Sequence, residues 1–441
     1  MQKTIFALSS GGLPSGVAII RVSGPEVRGI CMHLMGGRIP EARLASLTSI
    51  RDRNKQLIDS ALVLRFEAPH SFTGEDCLEI HCHGGRAVVT KLLEELTSFP
   101  GARHAAAGEF TKRAFENGKI DLVEAEGLAD LITAETEMQR RLATEQTTGG
   151  LSRLYNNWAE RITHARAMIE AELDFSDEDD VPGSVASQVW RDMRNVHGEL
   201  DEHLQLAGSG EIIRDGLKVV ILGAPNVGKS SLINTLSRRD VSIVTDLAGT
   251  TRDVLTVDMN LDGYAVRFFD TAGLRESQDP VEQEGIRRAK LAADEADVIL
   301  YLEDLSAEAA QGIVPMTSAR LIRVGTKSDL VDVGPETRTA FDVLVSVKSG
   351  TGFDALKAKI AESFSSIVTG SSLAIPARMR HVEKLNEARA FLGEALAFGD
   401  SGLDIRAELL RQAALSLGKI TGTVDVEALL DVIFSKFCIG K

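Results

Sequence analysis

The densest chemistry in this 441-residue sequence lies between residues 223 and 348. Gly223-Ala224-Pro225-Asn226-Val227-Gly228-Lys229-Ser230 fits the spacing G-x-x-x-x-G-K-[ST]. A β-rich run at 218–222 enters it, and Ser230-Ser231-Leu232-Ile233-Asn234-Thr235-Leu236 leaves it as a helix. A loop so placed turns backbone N–H groups and a helix N-terminus toward phosphates. Lys229 then reaches the β- and γ-phosphates, and Ser230 ligates Mg²⁺. Thr250 and Thr251, within Gly249-Thr250-Thr251-Arg252-Asp253, supply hydroxyls for Mg²⁺ and for sensing the γ-phosphate. Asp270-Thr271-Ala272-Gly273 follows a second apolar run, with Asp270 suited to the Mg²⁺ shell and Gly273 to close approach of its amide. Thr326-Lys327-Ser328-Asp329 follows a third run, at 321–324. A carboxylate there accepts two hydrogen bonds from guanine N1 and its exocyclic amine, which adenine does not offer. Ser346-Val347-Lys348 closes the base pocket. The order of these pieces predicts GTP rather than ATP. Leu274 stands where many small GTPases carry a water-orienting Gln, which leaves Arg252, Arg275, Glu282, Glu284 or a bound monovalent cation for that task. Thr326 stands where Asn is commoner, and its hydroxyl is expected to take over part of that role.

Short apolar runs at 218–222, 265–269, 298–302, 321–324 and 343–345 alternate with helical stretches, the pattern of βαβ units on a parallel sheet. Residues 1–118 read as mixed α/β, with strands at 16–22 and 61–66. From 122 to about 171 the period is helical, broken once at Gly149-Gly150. Helix is expected again over 185–207 and over most of 382–437, with an acidic loop at 177–183. Cys77, Glu79, His81 and His83 fall on one face of a strand, but zinc needs more than so local a set and the sequence names no distant partner.

The 49 Lys+Arg against 64 Asp+Glu leave a net charge of −15, which excludes a protein that coats nucleic acid by charge alone. Residues 1–118 carry 14 basic and 12 acidic side chains (+2), while 119–210 carry 8 and 19 (−11). Apolar residues at 44% and charged ones at 26% exclude wholesale disorder. Four cysteines, Cys31, Cys77, Cys82 and Cys438, form no disulfide framework and fit a reducing compartment. The first residues lack a signal-peptide core and no apolar run is long enough to span a bilayer, so a cytoplasmic, multidomain protein is expected.

Other stretches go beyond a nucleotide site. His70-Ser71-Phe72-Thr73-Gly74-Glu75-Asp76, Glu79-Ile80-His81-Cys82-His83-Gly84-Gly85, Gly108-Glu109-Phe110-Thr111-Lys112-Arg113-Ala114-Phe115, Asn117-Gly118-Lys119-Ile120-Asp121-Leu122 and the terminal Cys438-Ile439-Gly440-Lys441 together resemble the MnmE (TrmE) family over essentially the whole chain. The resemblance implies an N-terminal folate-binding, aminomethyltransferase-like α/β domain over 1–118 that drives homodimerisation. It also implies a discontinuous helical domain at 119–210 and 374–441, and an inserted P-loop GTPase domain at 211–373. The family acts with MnmG, an FAD protein, and a tetrahydrofolate one-carbon donor (5-formyl or 5,10-methylene) on the wobble uridine of certain tRNAs. The product carries a carboxymethylaminomethyl or aminomethyl group. Potassium activates hydrolysis there through G-domain dimerisation.

By the same resemblance, Asn226, Thr245, Leu247 and Thr250 hold K⁺, while Ser230 and Thr251 hold Mg²⁺. The segment Thr245-Asp246-Leu247-Ala248-Gly249 joins the GTP site, along with Thr271 and Ala272. Glu282 orients water, with Lys229, Thr251 and Arg252 beside it. Arg21, Glu79, Lys119 and Lys441 contact folate, and Cys438 serves the modification but not hydrolysis. The N-terminal loop Ser10-Gly11-Gly12-Leu13-Pro14-Ser15-Gly16 lacks the Arg usual in the family. Two other functions compete: a ribosome-assembly GTPase, which the charge-neutral 374–441 tail disfavours, and an aminomethyltransferase with a vestigial G domain, which intact Lys229, Ser230, Asp270 and Asp329 disfavour.

Overall fold

The computed structural model describes residues 3–174, 184–239, 255–270, 295–307, 319–364, 372–398 and 402–424, and residues 430, 433–435, 437 and 440 of the C-terminal segment. The chain forms two compact units: residues 1–129 with 418–441, and residues 130–417.

The first unit runs β1 (Thr4–Leu8), β2 (Ser15–Ser23), α1 (Val27–Leu34), β3 (Ser46–Arg51), β4 (Leu57–Phe66), β5 (Cys77–Gly84), α2 (Arg86–Thr97), β6 (Ala102–His104) and α3 (Glu109–Glu116), and then enters α4 (Leu122–Thr133). The strands make one six-stranded sheet in the order β3-β4-β5-β2-β1-β6, antiparallel except where β6 pairs with β1. Alternation decides its faces. Ala18, Ile20 and Val22 of β2 and Leu78, Ile80 and Cys82 of β5 point to one side, where they pack on Val27, Ile30 and Leu34 of α1 and on Val89, Leu92 and Leu96 of α2. Burying each such Val, Leu or Ile is worth roughly 1.5–3 kcal/mol. Arg21 and Glu79 share the opposite face, directly across from each other in the β2–β5 register.

The charged residues of the resemblance motifs hold this unit together. Arg113 is 1% exposed; it donates to Glu75 Oε2 (3.0 Å), Glu109 Oε1 (2.9 Å) and the Lys3 carbonyl (2.9 Å). Burial would raise the Glu109 carboxyl. Hydrogen bonds from Arg103, the Ala106 amide and Arg113 outweigh it and hold the group down to about 2. The C-terminal segment belongs to the same unit. Phe434 and Phe437 pack with Ala125 and Phe115, and Ser9 Oγ donates to the Gly440 carbonyl at 2.8 Å. At Gly108 (φ +65°) a Cβ would stand 2.3 Å from the Phe434 carbonyl oxygen, so only glycine permits that approach.

The second unit contains α5 (Glu137–Thr147), α6 (Gly150–Asp174), α7 (Ser184–Gln205), α8 (Ala207–Asp215), β7 (Leu217–Gly223), α9 (Lys229–Arg239), β8 (Leu255–Leu261), β9 (Tyr264–Asp270), β10 (Val298–Asp304), β11 (Arg320–Thr326), α10 (Pro335–Ala340), β12 (Val343–Leu344), α11 (Phe353–Ala361) and α12 (Met379–Ala397); α13 (Leu403–Thr421) leads out of it. Its sheet is ordered β12-β11-β10-β7-β9-β8.

The pairs are parallel except β8–β9. The apolar-run reading missed β8, where Leu255, Val257, Met259 and Leu261 alternate with Thr256, Asp258 and Asn260 and so form no continuous apolar run. The signal was the Asp262-Gly263 turn, both residues at positive φ (51° and 89°), which closes a two-residue hairpin.

The helical stretch from 122 breaks twice rather than once. Besides Gly149, the chain stops at Thr133 and restarts at Glu137. Thr136 is the reason: its Oγ1 accepts from the Gln139 amide and the Gln139 side chain accepts from the Thr136 amide, a capping box that favours a helix start over continuation. The Met138 amide donates to the Gly263 carbonyl (3.0 Å), satisfying another first-turn N–H. Met138 and Leu142 lie in the same apolar core as Val219 and Ile221 of β7, so α5 packs on this sheet. The helix expected at 185–207 is α7, and a further short helix, α8, follows it to Asp215. Between the helices of this unit Tyr155, Trp158, His203 and His381 stack edge to face. Burial, with the neighbouring His381, pushes the His203 imidazole down to about 4.

Candidate nucleotide site and a second cavity

β7 ends at Gly223, the loop turns, and α9 begins at Lys229. A Cβ on Gly223 would sit 2.5 Å from the Leu302 carbonyl oxygen of β10, so the loop leaves the sheet through a gap only glycine fits. Asn226 (φ 60°) and Gly228 (φ 103°) take left-handed conformations that curl the backbone back on itself. The Leu232 amide donates to the Gly228 carbonyl (2.9 Å), an early helical bond of α9. Lys229 Nζ donates to the Gly223 (2.7 Å) and Ala224 (2.9 Å) carbonyls, arching over its own loop. Asp270 closes β9 in parallel register with Ile221, beside the strand that feeds the loop.

The Thr326–Asp329 segment is tied to that loop. Thr326, 4% exposed, has its Oγ1 2.9 Å from the Val227 carbonyl and 3.1 Å from the Glu303 carbonyl, one proton facing two acceptors. The hydroxyl thus ties the end of β11 to the phosphate loop. Ser346, fully buried, donates from Oγ to Asp329 Oδ1 at 2.6 Å and accepts from the Ser349 amide at 3.1 Å. The Ser328 amide donates to the Val345 carbonyl. Asp329 is therefore aimed by Ser346, and Val347 and Lys348 sit exposed at the rim. Sequence reasoning missed Asp304: its Oδ2 accepts from Lys327 Nζ at 2.6 Å, and only the β10–β11 register brings it there. Thr245, Asp246, Leu247, Ala248, Gly249, Thr250, Thr251, Arg252, Thr271, Ala272, Gly273, Leu274, Arg275, Glu282, Glu284, Cys438 and Lys441 lie outside the described residues, as does the side chain of Asp270.

In the first unit Arg21 and Glu79 line a cavity of about 440 Å³ together with Arg43, Phe66, His70, Ser71, Phe72 and Cys77. Arg21 donates from Nε and Nη2 to Glu79 Oε1 (3.1 and 3.0 Å), and His81 Nε2 lies 3.4 Å from Oε2. The guanidinium sits 5.6 Å from the Phe72 ring centroid and 5.8 Å from that of Phe110. Lys119 is not among the lining residues; its Nζ donates to the carbonyl of Pro69, next to His70 (2.9 Å). Phe72 and His70 belong to a motif legible in the sequence, whereas Arg43 carries no local signal. The face shared by Cys77, Glu79, His81 and His83 does not converge. Cys77 Sγ meets Thr73 Oγ1 (3.2 Å), Glu79 takes Arg21, and His83 Nδ1 pairs with Asp59 (2.8 Å). Among the described residues no three His, Cys, Asp or Glu side chains gather as a metal site.

Residues 4–119 match the model for the GTP-binding protein TrmE N-terminus, and residues 122–438 match the MnmE helical domain. A tRNA modification GTPase MnmE from Agrobacterium fabrum is 56% identical over 438 residues, covering 99% of both chains. The chain belongs to the MnmE family. A second MnmE, from Rhizobium johnstonii, is 55% identical over all of this chain and 99% of its own. One from Brucella ovis is 50% identical over 99% of this chain and 98% of its own. Among solved structures, the G domain of the T. maritima FeoB iron transporter aligns with 33% of this chain and 98% of its own length at 24% identity and a TM-score of 0.25. As an MnmE-family protein, the chain is a GTP-hydrolysing enzyme of tRNA modification.

Proposed function

We propose that this GTPase serves the installation of a carboxymethylaminomethyl or aminomethyl group on the wobble uridine of certain tRNAs. In this reading it acts as a homodimer with an FAD-containing MnmG-type partner and a tetrahydrofolate one-carbon donor, in the cytoplasm. The observation that carries the nucleotide half is the pair of ties Ser346–Asp329 and Thr326–Val227, which align a guanine-reading carboxylate with a phosphate loop. Lys229 and the amides of 226–231 would hold the phosphates. Ser230 at the helix start suits Mg²⁺, with Thr251 as its second ligand. Asn226, held exposed in a left-handed turn, suits K⁺ with Thr245, Leu247 and Thr250. Such cations offset charge developing on the transferred phosphoryl group. Glu282 would orient water, with Arg252 nearby in sequence; for these and for Cys438 the support is the family resemblance.

The cavity at Arg21 and Glu79 supports the folate half. Its carboxylate suits pterin N–H groups, its aromatic rings a flat heterocycle, and Arg43 a glutamyl tail; for Lys119 and Lys441 the support is the family resemblance. An open sheet face bearing Leu47 (76% exposed) across from Leu62 (39%) supports homodimerisation through residues 1–118. Among the described residues no helix is long and apolar enough to cross a membrane. Two experiments test the reading. GTP hydrolysis in K⁺ should greatly exceed that in Na⁺ at matched ionic strength, and Asn226→Ala should abolish the difference. A deletion strain should lose the wobble modification; an intact modification there overturns the proposal.

A further inference from the structure

Among the described residues of the nucleotide site, Lys229 and Lys327 both have their charge engaged. Lys229 lies over the phosphate loop, whereas Lys327 turns away from it. A left-handed backbone at Lys327 (φ 57°) throws its side chain toward the end of β10, where Nζ donates to Asp304 Oδ2 at 2.6 Å. The Asp304 carboxylate is fixed in turn: Oδ1 accepts from the Ser306 amide (2.9 Å) and the Ser306 hydroxyl (2.6 Å). The two strand ends are knitted in the same place, since Asp304 faces Thr326 in register and the Leu305 amide donates to the Thr326 carbonyl. Burial would raise the Asp304 carboxyl, but the bonds from Lys327 and Ser306 outweigh it and keep it below its usual range. Lys327 remains 38% exposed while Asp304 is 18% exposed. A lysine held at both ends while still partly exposed presents its hydrocarbon stem rather than its charge. That stem starts two residues from the Asp329 carboxylate that Ser346 aims.

We propose that Asp304 is a positioning residue for guanine recognition: it draws out Lys327 so that the lysine's methylene stem forms a fixed apolar wall against the face of the base. The ion pair places no charge on the phosphates. It immobilises a long side chain before the nucleotide arrives, so less ordering remains to be done on binding. This rests on Asp329 as the guanine acceptor, and Asp329→Asn tests that reading separately. An amide at 329 would pair with the 2-oxo group of xanthine, so this variant should prefer xanthosine triphosphate whatever Asp304 does.

The test measures steady-state GTP hydrolysis by the full chain. Asp304→Asn should raise KM for GTP, and the Kd for GDP, by about tenfold with kcat within about twofold. Inhibition by inorganic pyrophosphate, which occupies only the phosphate loop, should be unchanged. Lys327→Met, which keeps a stem that Asp304 can no longer hold, should match Asp304→Asn at about tenfold, while Lys327→Ala, which loses the stem as well, should lose at least as much. In the Lys327→Met background Asp304→Asn should have no further effect. The proposal is overturned by an unchanged KM in Asp304→Asn, by a loss confined to kcat, by pyrophosphate inhibition weakening in step, or by Lys327→Met binding GTP as tightly as the parent. The two lysine variants keep the proposal open to refutation even where Asp304→Asn does not fold.

Discussion

Removing one hydroxyl, with Ser346→Ala, isolates the aiming of Asp329. In the parent, Ser346 Oγ donates to Asp329 Oδ1 at 2.6 Å from a fully buried position. A hydrogen bond to an ionised group is worth about 1.5–3 kcal/mol. In the nucleotide-free protein Asp329 is exposed, so water can replace the lost donor at little cost. With guanine against the carboxylate that water is excluded, and most of the loss falls on the bound state. At 1.4 kcal/mol per decade, GTP and GDP should bind about 10- to 100-fold more weakly. The Ser349 amide also loses its acceptor, but Ser349 is exposed and water can satisfy it. The assay is equilibrium binding of a fluorescent GDP analogue, alongside pyrophosphate inhibition and thermal unfolding. Affinity within twofold of the parent in a folded variant refutes the argument. So does an equal loss for pyrophosphate, which would locate the damage in the phosphate loop.

Three other outcomes are expected. Because folded His203 titrates near 4 rather than its ordinary 6.5, the unfolded chain binds the extra proton between those values. Stability should therefore be constant above pH ~6.5 and fall as pH drops toward 4, by at most about 3 kcal/mol; urea unfolding at pH 7.5 and 5 should show a slope that His203→Asn removes. Thr136→Ala deletes the capping box of α5 and should lower the stability of the second unit by about 0.5–2 kcal/mol, read from its urea midpoint, while Thr133→Ala one turn earlier should do little. Glu79→Gln keeps the size of the side chain but loses the charge that holds Arg21; tetrahydrofolate binding by calorimetry should weaken about tenfold or more, with GTP hydrolysis by the same preparation unchanged.

The phosphate loop was legible because its chemistry is local. Spacing of Gly223, Gly228, Lys229 and Ser230 between strand and helix is a short-range property, and the structure puts those residues on that strand–loop–helix. The parallel strands were legible as runs buried on both faces. The second helix break was not read, because Thr136 and Gln139 act as a stop only through a reciprocal cap that hydropathy does not register. β8 was missed for a different reason: it alternates apolar and polar residues strictly, so it holds no continuous apolar run, and its pairing is closed by a positive-φ turn.

What the sequence determined by itself was the strand–loop–helix at 218–236, the order of the parallel strands around it and the family, since motif residues are fixed by covalent spacing. What only the tertiary structure decided was which distant groups meet. Asp304 reaches Lys327, and Thr326 reaches Val227 across 99 positions of sequence. Arg21 reaches Glu79 across 58, and Gly440 settles on Ser9 across 431. Those contacts follow from strand register and from backbones close enough to exclude a Cβ, and neither is written in any one stretch of chain.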